Sequence, residues 1–270
     1  MNIPNLLSEK EKVHLNYLAE IINFGADELR DSVKTESFSY LQNFLLYSFV
    51  PVHNFSESIH ILCKDSRPHA AQVLLRSIFE AYMTTEYIKS FDTEKRLALF
   101  AKDSFKNRKG FACELENFIN RYPNLENELP ILKRTSIVSL KEFADKHISI
   151  IENSNNIIGE QLPSFIERVK QIDCEVSVEN KGKNELNYHI IYRQLSLYTH
   201  LNSWGLELFS KQDSKSVVYS LGQEKDVDHI IVYTYLYYFD LLFNLFDKKV
   251  LLGELPVKYK KWFEEMRAEM

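Results

Sequence analysis

The chain has 270 residues, of which 45% are apolar and 13% aromatic, with seven glycines, seven prolines and a net charge of −5. That composition supports a sizeable core and excludes a disordered chain. Glycine is too scarce for the many tight turns of an all-β fold or for a Gly-rich phosphate loop, and no GxGxxG occurs. The acidic balance excludes a surface coated in positive charge, though not a local basic patch.

Read in chain order, residues 8–31 form the first helix, with Ser8 as N-cap and Glu9 and Glu11 in the first turn. Leu15, Leu18, Ile21, Ile22 and Leu29 recur at near-helical spacing. A second helix covers 37–49 and ends where Pro51 disfavours α geometry at Val50. A third, 52–64, carries Phe55, Ile59 and Leu62. Residues 67–90, RPHAAQVLLRSIFEAYMTTEYIKS, are the strongest helix, and Pro68 suits its first position. Asp92 and Thr93 cap a long charged helix reaching about Arg121.

Pro123 and Pro130 bracket an irregular piece, followed by helices at 138–151 and 160–173, with Pro163 near the start of the second. The stretch 174–185, CEVSVENKGKNE, reads as a loop. Helices follow at 185–210 and 226–248, with a β-like stretch at Val217–Ser220 between them, and the tail forms an amphipathic helix over 255–270. The expectation is one all-α domain over 1–270. The apolar run 230–246 is shorter than the ~20 residues of a membrane span and carries Asp240 and Asn244. Cys63, Cys113 and Cys174 are odd in number, widely spaced and without CxxC, as in a reducing cytosol. No signal peptide opens the sequence, so the protein is expected to be soluble and cytoplasmic, with no membrane partner.

The chemistry-bearing segment is YRQLSLYTH, Tyr192–His200. On an α-helix, Arg193 and His200 fall within roughly 20° of one face and about 10.5 Å apart along the axis. Ser196 lies between them and His189 extends the stripe one turn earlier. A guanidinium can grip the non-bridging oxygens of a phosphodiester, and an imidazole can move a proton near neutral pH. The spacing alone carries little, because a random chain of this composition yields about one such match. A second feature adds weight: in AAQVLLRSIFEAYM, residues 70–83, apolar side chains cover most of the helix circumference, yet Arg76 and Glu80 sit at i,i+4 with Gln72 a turn before. A guanidinium and a carboxylate on a buried helix need partners. They form an intrahelical ion pair, or one of them orients Arg193 and His200 from a facing helix.

LLRSIFEAY (74–82), followed by YRQLSLYTH (192–200), resembles an uncharacterised family of bacterial helical proteins. That family carries an Arg-Ser-x-x-Glu helix, here Arg76, Ser77 and Glu80, and a later Tyr-x-x-x-Ser-x-x-x-His helix, here Tyr192, Ser196 and His200. The resemblance covers roughly residues 40–250. Arg193-x6-His200 is also similar to the signature of the HEPN superfamily of helical ribonucleases, many of them toxins or antiviral effectors. Gln194 stands where that signature often has Asn, Asp or His. The resemblance implies a HEPN-like helical bundle, core about 37–250, with the N-terminal helix 8–31 and the C-terminal helix 255–270 as elaborations. It implies metal-independent RNA cleavage with Arg193 and His200 catalytic, without a cofactor. Arg76, Glu80, Ser196 and Tyr192 would support the pair, and Asn202, His189 and Tyr198 would contact RNA. A homodimer would supply the second histidine, and an antitoxin or defence-system component could be a partner.

Other constellations are thinner. Glu57-Ser58-Ile59-His60 is one ExxH unit, where a di-iron bundle needs a second. His53 and His60, seven apart, could ligate a metal. KYKKWFEEMR places basic residues beside aromatics, as a nucleic-acid contact or simply the end of the fold. The alternative to a nuclease is a non-catalytic helical binding or regulatory protein in which Arg76, Glu80, Arg193 and His200 form a buried network. A nucleotide-binding HEPN relative without cleavage is a third reading.

Overall fold

The computed structural model describes residues 7–31, 33, 37–65, 67–175, 181–193, 210–213, 216–219 and 227–268, with only the backbone for 193, 210–213 and 216–219. Its α-helices are α1 Glu9–Asp31, α2 Tyr40–Lys64, α3 Pro68–Ser90, α4 Thr93–Arg121, α5 Arg134–Asn155, α6 Phe165–Glu175, α7 Lys183–Asn187, α8 Asp228–Asp247 and α9 Val257–Arg267. Short 3₁₀ turns lie at Pro123–Leu125 and Pro130–Leu132, and a π-helical turn spans Tyr188–Arg193. Strands β1 (Ser210–Asp213) and β2 (Ser216–Tyr219) pair antiparallel, Ser210 opposite Tyr219. The fold is thus overwhelmingly helical, and residues 217–219 of the expected β-like stretch lie in β2, Ser220 falling outside the described residues.

The chain packs as two compact units, Met1–Tyr87 with Phe165–Met270, and Ile88–Ser164. In the first unit α8 is buried along almost its whole circumference and packs on α1, α2 and α9. Gly25 of α1 makes the contact with Tyr238 possible at close range. An ideal Cβ on Gly25 of α1 would lie 2.0 Å from the Tyr238 hydroxyl, so only glycine admits that ring. The same hydroxyl meets His53 Nδ1 at 2.8 Å. The start of α8 is held from α1: Glu11 accepts from the Val227 N–H at 2.9 Å and the Ser8 N–H at 2.6 Å. Ser8 Oγ in return accepts from the Glu11 N–H at 3.2 Å, completing the capping box that Ser8 promised.

Where the sequence predicts two helices, 37–49 and 52–64, the structure has one continuous α2 with Pro51 inside it. Tyr47, Val50, Pro51 and Asn54 form an exposed stripe, so the Tyr47 carbonyl that Pro51 cannot satisfy lies on the solvent side. Phe49, Val52, His53 and Ser56 are buried on the other face and hold the helix through the proline. Tertiary burial outweighs the local penalty here.

The second unit is an antiparallel hairpin of α4 and α5. Ala98, Leu99 and Ile157 fill one end, and Ala112, Ile119 and Ile137 the other. Asp92 sits at the N-cap of α4, but in a left-handed conformation (φ 46°) and with no side-chain cap bond. α5 begins at Arg134, earlier than expected, where Arg134 binds Glu126 and Asn120. Lys102, 2% exposed, meets Glu152 at 2.5 Å and donates to the carbonyls of Ile157 (3.2 Å) and Glu160 (2.7 Å). These three acceptors match the three donors of an ammonium. That clamp uses backbone carbonyls of the segment after α5, and α6 starts only at Phe165, beyond Pro163, rather than at 160.

Candidate functional site

α3 and the π-turn together position the site's described residues. Pro68 opens α3, and a buried stripe of His69, Gln72 and then half-buried Arg76 runs along it. Arg76 donates from Nη2 to the Tyr192 hydroxyl at 3.1 Å, and its guanidinium carbon lies 4.4 Å from the centroid of the same ring. Tyr192 stacks on Tyr188 at 5.2 Å and lies 4.6 Å from Phe165, which meets Phe79 of α3 edge-on at 6.0 Å. A cation over an aromatic face and a charge-assisted bond to its hydroxyl favour the same placement. The two segments singled out in the sequence therefore touch across 116 residues of chain, Arg76 to Tyr192.

Arg76 reaches Tyr192, and Glu80 is half-buried four residues on. Tyr188–Arg193 is π-helical rather than α-helical, and within it residues four apart still share a face, as the stacked Tyr188 and Tyr192 do. His189 is exposed, with Nε2 4.0 Å from Glu185 Oε1. The Arg193 backbone closes the π-turn. Ser196, Tyr198, His200 and Asn202 lie outside the described residues, as does most of the helix expected over 185–210.

The elements around the π-turn contribute residues that sequence reading missed. Buried Asp173 of α6 accepts from the Asn184 N–H at 3.2 Å and the Glu185 N–H at 2.8 Å, tying down the start of α7, with Gly182 at φ 85° before it. Arg168 donates to Thr84 of α3 at 2.9 Å and lies 5.3 Å over Phe165. Tyr188 and Tyr192, four apart, were the visible signal of an aromatic platform; Asp173 and Arg168 carried none without the fold. Two arginines, Arg76 and Arg168, thus each sit on a ring of one aromatic cluster.

Elsewhere the candidates resolve into packing. His53 is bonded to Tyr238, and burial holds its imidazole below the ordinary histidine value. Burial likewise pushes the Cys63 thiol up to about 12, with the charge of Glu11 adding to it, which leaves it a poor nucleophile. Among the described residues no group of three or more His, Cys, Asp or Glu is placed to hold a metal ion. No described helix is long and apolar enough to cross a membrane, α8 with its 230–246 run included.

The fold and the site define a helical protein whose RSIFE-bearing helix grips a tyrosine on a π-turn. The chain belongs to a family of unknown function (DUF5677), whose model matches residues 42–217. This agrees with the resemblance to an uncharacterised family, but the match stops before α8, where about 250 was expected. No curated protein and no solved structure matches the chain.

Proposed function

We propose that the protein is a HEPN-like, metal-independent endoribonuclease acting through Arg193 and His200, an effector of bacterial antiviral defence or a toxin. The observation that supports this reading is the Arg76–Tyr192 contact, which anchors the residue next to Arg193 at the close of a π-turn, a geometry frequent at functional sites. The ribose 2′-hydroxyl attacks the adjacent phosphorus and the P–O5′ bond breaks, leaving a 2′,3′-cyclic phosphate and a 5′-hydroxyl. His200 moves a proton, and Arg193 stabilises the charge developing on the phosphate oxygens. One such histidine per chain cannot be acid and base in the same step, so the active form is a homodimer with two motifs facing one cleft. The test is RNA cleavage by wild type and His200→Ala in EDTA, with product ends analysed. Cleavage in EDTA with cyclic-phosphate ends, lost in the variant, is the expected outcome; a folded wild-type dimer inert on varied RNAs ends the nuclease reading.

A second reading has an observation of its own. Arg76 and Arg168 are both engaged by side chains of their own unit, which suits a regulatory or binding module in which these cations are structural. Unchanged RNA in the same assay, with stability lost on replacing Arg76, favours it.

A further inference from the structure

The α4/α5 hairpin carries a feature that neither its core nor the site above uses. Phe105 of α4 stacks on His147 of α5 with ring centroids 4.8 Å apart and planes 21° from parallel. Phe143 lies 4.0 Å from His147 and 5.8 Å from Phe105, so the three rings form one cluster. The cluster reaches the surface through Phe143, which is 45% exposed, while Phe105 and His147 are half-buried; Ile150, on the same face of α5, is 50% exposed. His147 donates from Nδ1 to the Phe143 carbonyl at 2.7 Å, which fixes its ring against its neighbours.

Two cations flank these rings. The Arg108 guanidinium lies 5.3 Å from the Phe105 centroid, and Lys146 is one helical turn from Phe143. Among the described residues neither has a hydrogen bond or an ion pair. Lys109 and Lys141, by contrast, are both spent on carboxylates, Asp145 and Glu116. Glu142 is the acidic residue on the ring-bearing edge. The charge distribution agrees with an anionic ligand: residues 88–164 hold twelve Lys and Arg against eleven Asp and Glu, and the rest of the chain 21 against 27.

An exposed ring backed by others and flanked by cations is the chemistry that recognises a single-stranded nucleic acid, whose bases stack on aromatic faces while phosphates meet the cations. A duplex hides its base faces and offers phosphates alone. We infer that Phe105, Phe143 and His147, with Arg108 and Lys146, form a binding platform for single-stranded nucleic acid. The inference stands apart from cleavage at Arg193 and His200, and the experiment keeps the two separate by using strands without a 2′-hydroxyl.

The full-length chain is titrated by fluorescence anisotropy with a labelled 2′-O-methyl 12-mer, the DNA 12-mer of the same sequence, and the DNA duplex. Wild type binds both single strands, and more tightly than the duplex. Phe143→Ala weakens binding by about fivefold or more, as loss of one base–ring stack does. Arg108→Glu with Lys146→Glu weakens it further and lowers the salt slope by about 1.4, two contacts at ~0.7 each for a single strand. Phe143→Leu keeps the apolar bulk but not the ring; with circular dichroism as the folding check, it separates stacking from packing. Equal binding of single strand and duplex, undiminished binding by Phe143→Leu, or no binding by wild type each overturns the platform. A stronger hold on the 2′-O-methyl strand than on DNA identifies RNA as the source.

Discussion

Arg76 and Tyr192 show how much one contact can carry at the scale of a side chain. The hydroxyl accepts from a charged donor, and the ring face lies under the same guanidinium. Tyr192→Phe keeps the ring and removes the acceptor, so it isolates the hydrogen bond. We expect a loss of about 1.5–3 kcal/mol in urea unfolding, typical of a bond to a charged group; an unchanged midpoint would mean that this hydrogen bond adds nothing to stability. His53 predicts a pH dependence. Burial lowers its folded-state value below 6.5, while the nearby Glu57 raises it less. The fold therefore favours neutral imidazole: the contribution is intact above pH 6.5, where the unfolded chain is also neutral, and is lost as pH falls through 6.5 towards the lowered folded value. Between pH 7.5 and 5, the denaturation midpoint of wild type should fall further than that of His53→Gln. Equal falls would contradict it.

At the scale of elements, the sequence was legible wherever local signals and burial agreed. Ser8 with Glu11, and Pro68 at the first position of α3, mark helix starts that the structure keeps. Pro51 misled, because a proline inside a helix costs about 3 kcal/mol locally while the burial that offsets it, Phe49 and Val52 against the α1–α8 side, depends on distant residues. The π-turn was illegible for a different reason. One extra residue in a turn leaves no mark in an apolar pattern, so YHIIYR reads as α-helix. For the candidate site, both segments stood out by their charges on apolar helices, but their actual junction, Arg76 on Tyr192, required the packing of α3, α6 and the π-turn. Asp173 could not have been read in advance, since the N–H groups it caps lie 11 and 12 residues further along the chain.

The division into two units sets what cooperativity the whole molecule has. The first unit has its core around α8 and the second its own clusters between α4 and α5, which are joined by Lys102 at the end distal to their 3₁₀ turns. Lys102→Met keeps the stem and removes the ammonium, leaving Glu152 and two carbonyls short of a donor. We expect about 3 kcal/mol of destabilisation, as when a buried pair loses one member, confined to residues 88–164. Hydrogen exchange locates it: amides of α4 and α5 should exchange faster while those of α1, α2 and α8 keep their protection. A loss spread evenly over the chain would show a single cooperative unit instead.

The π-turn also makes chain length itself a variable. Ile190 lies inside it and is exposed, so one residue could be removed there without emptying the core. An α-helical turn would result, and since five steps of a π-turn cover nearly the same rotation as four of an α-turn, the residues on either side of the deletion would keep their bearings. A relative one residue shorter between Asn187 and Tyr192 would thus still present a tyrosine to the same arginine, from a plain α-helix in place of the π-turn.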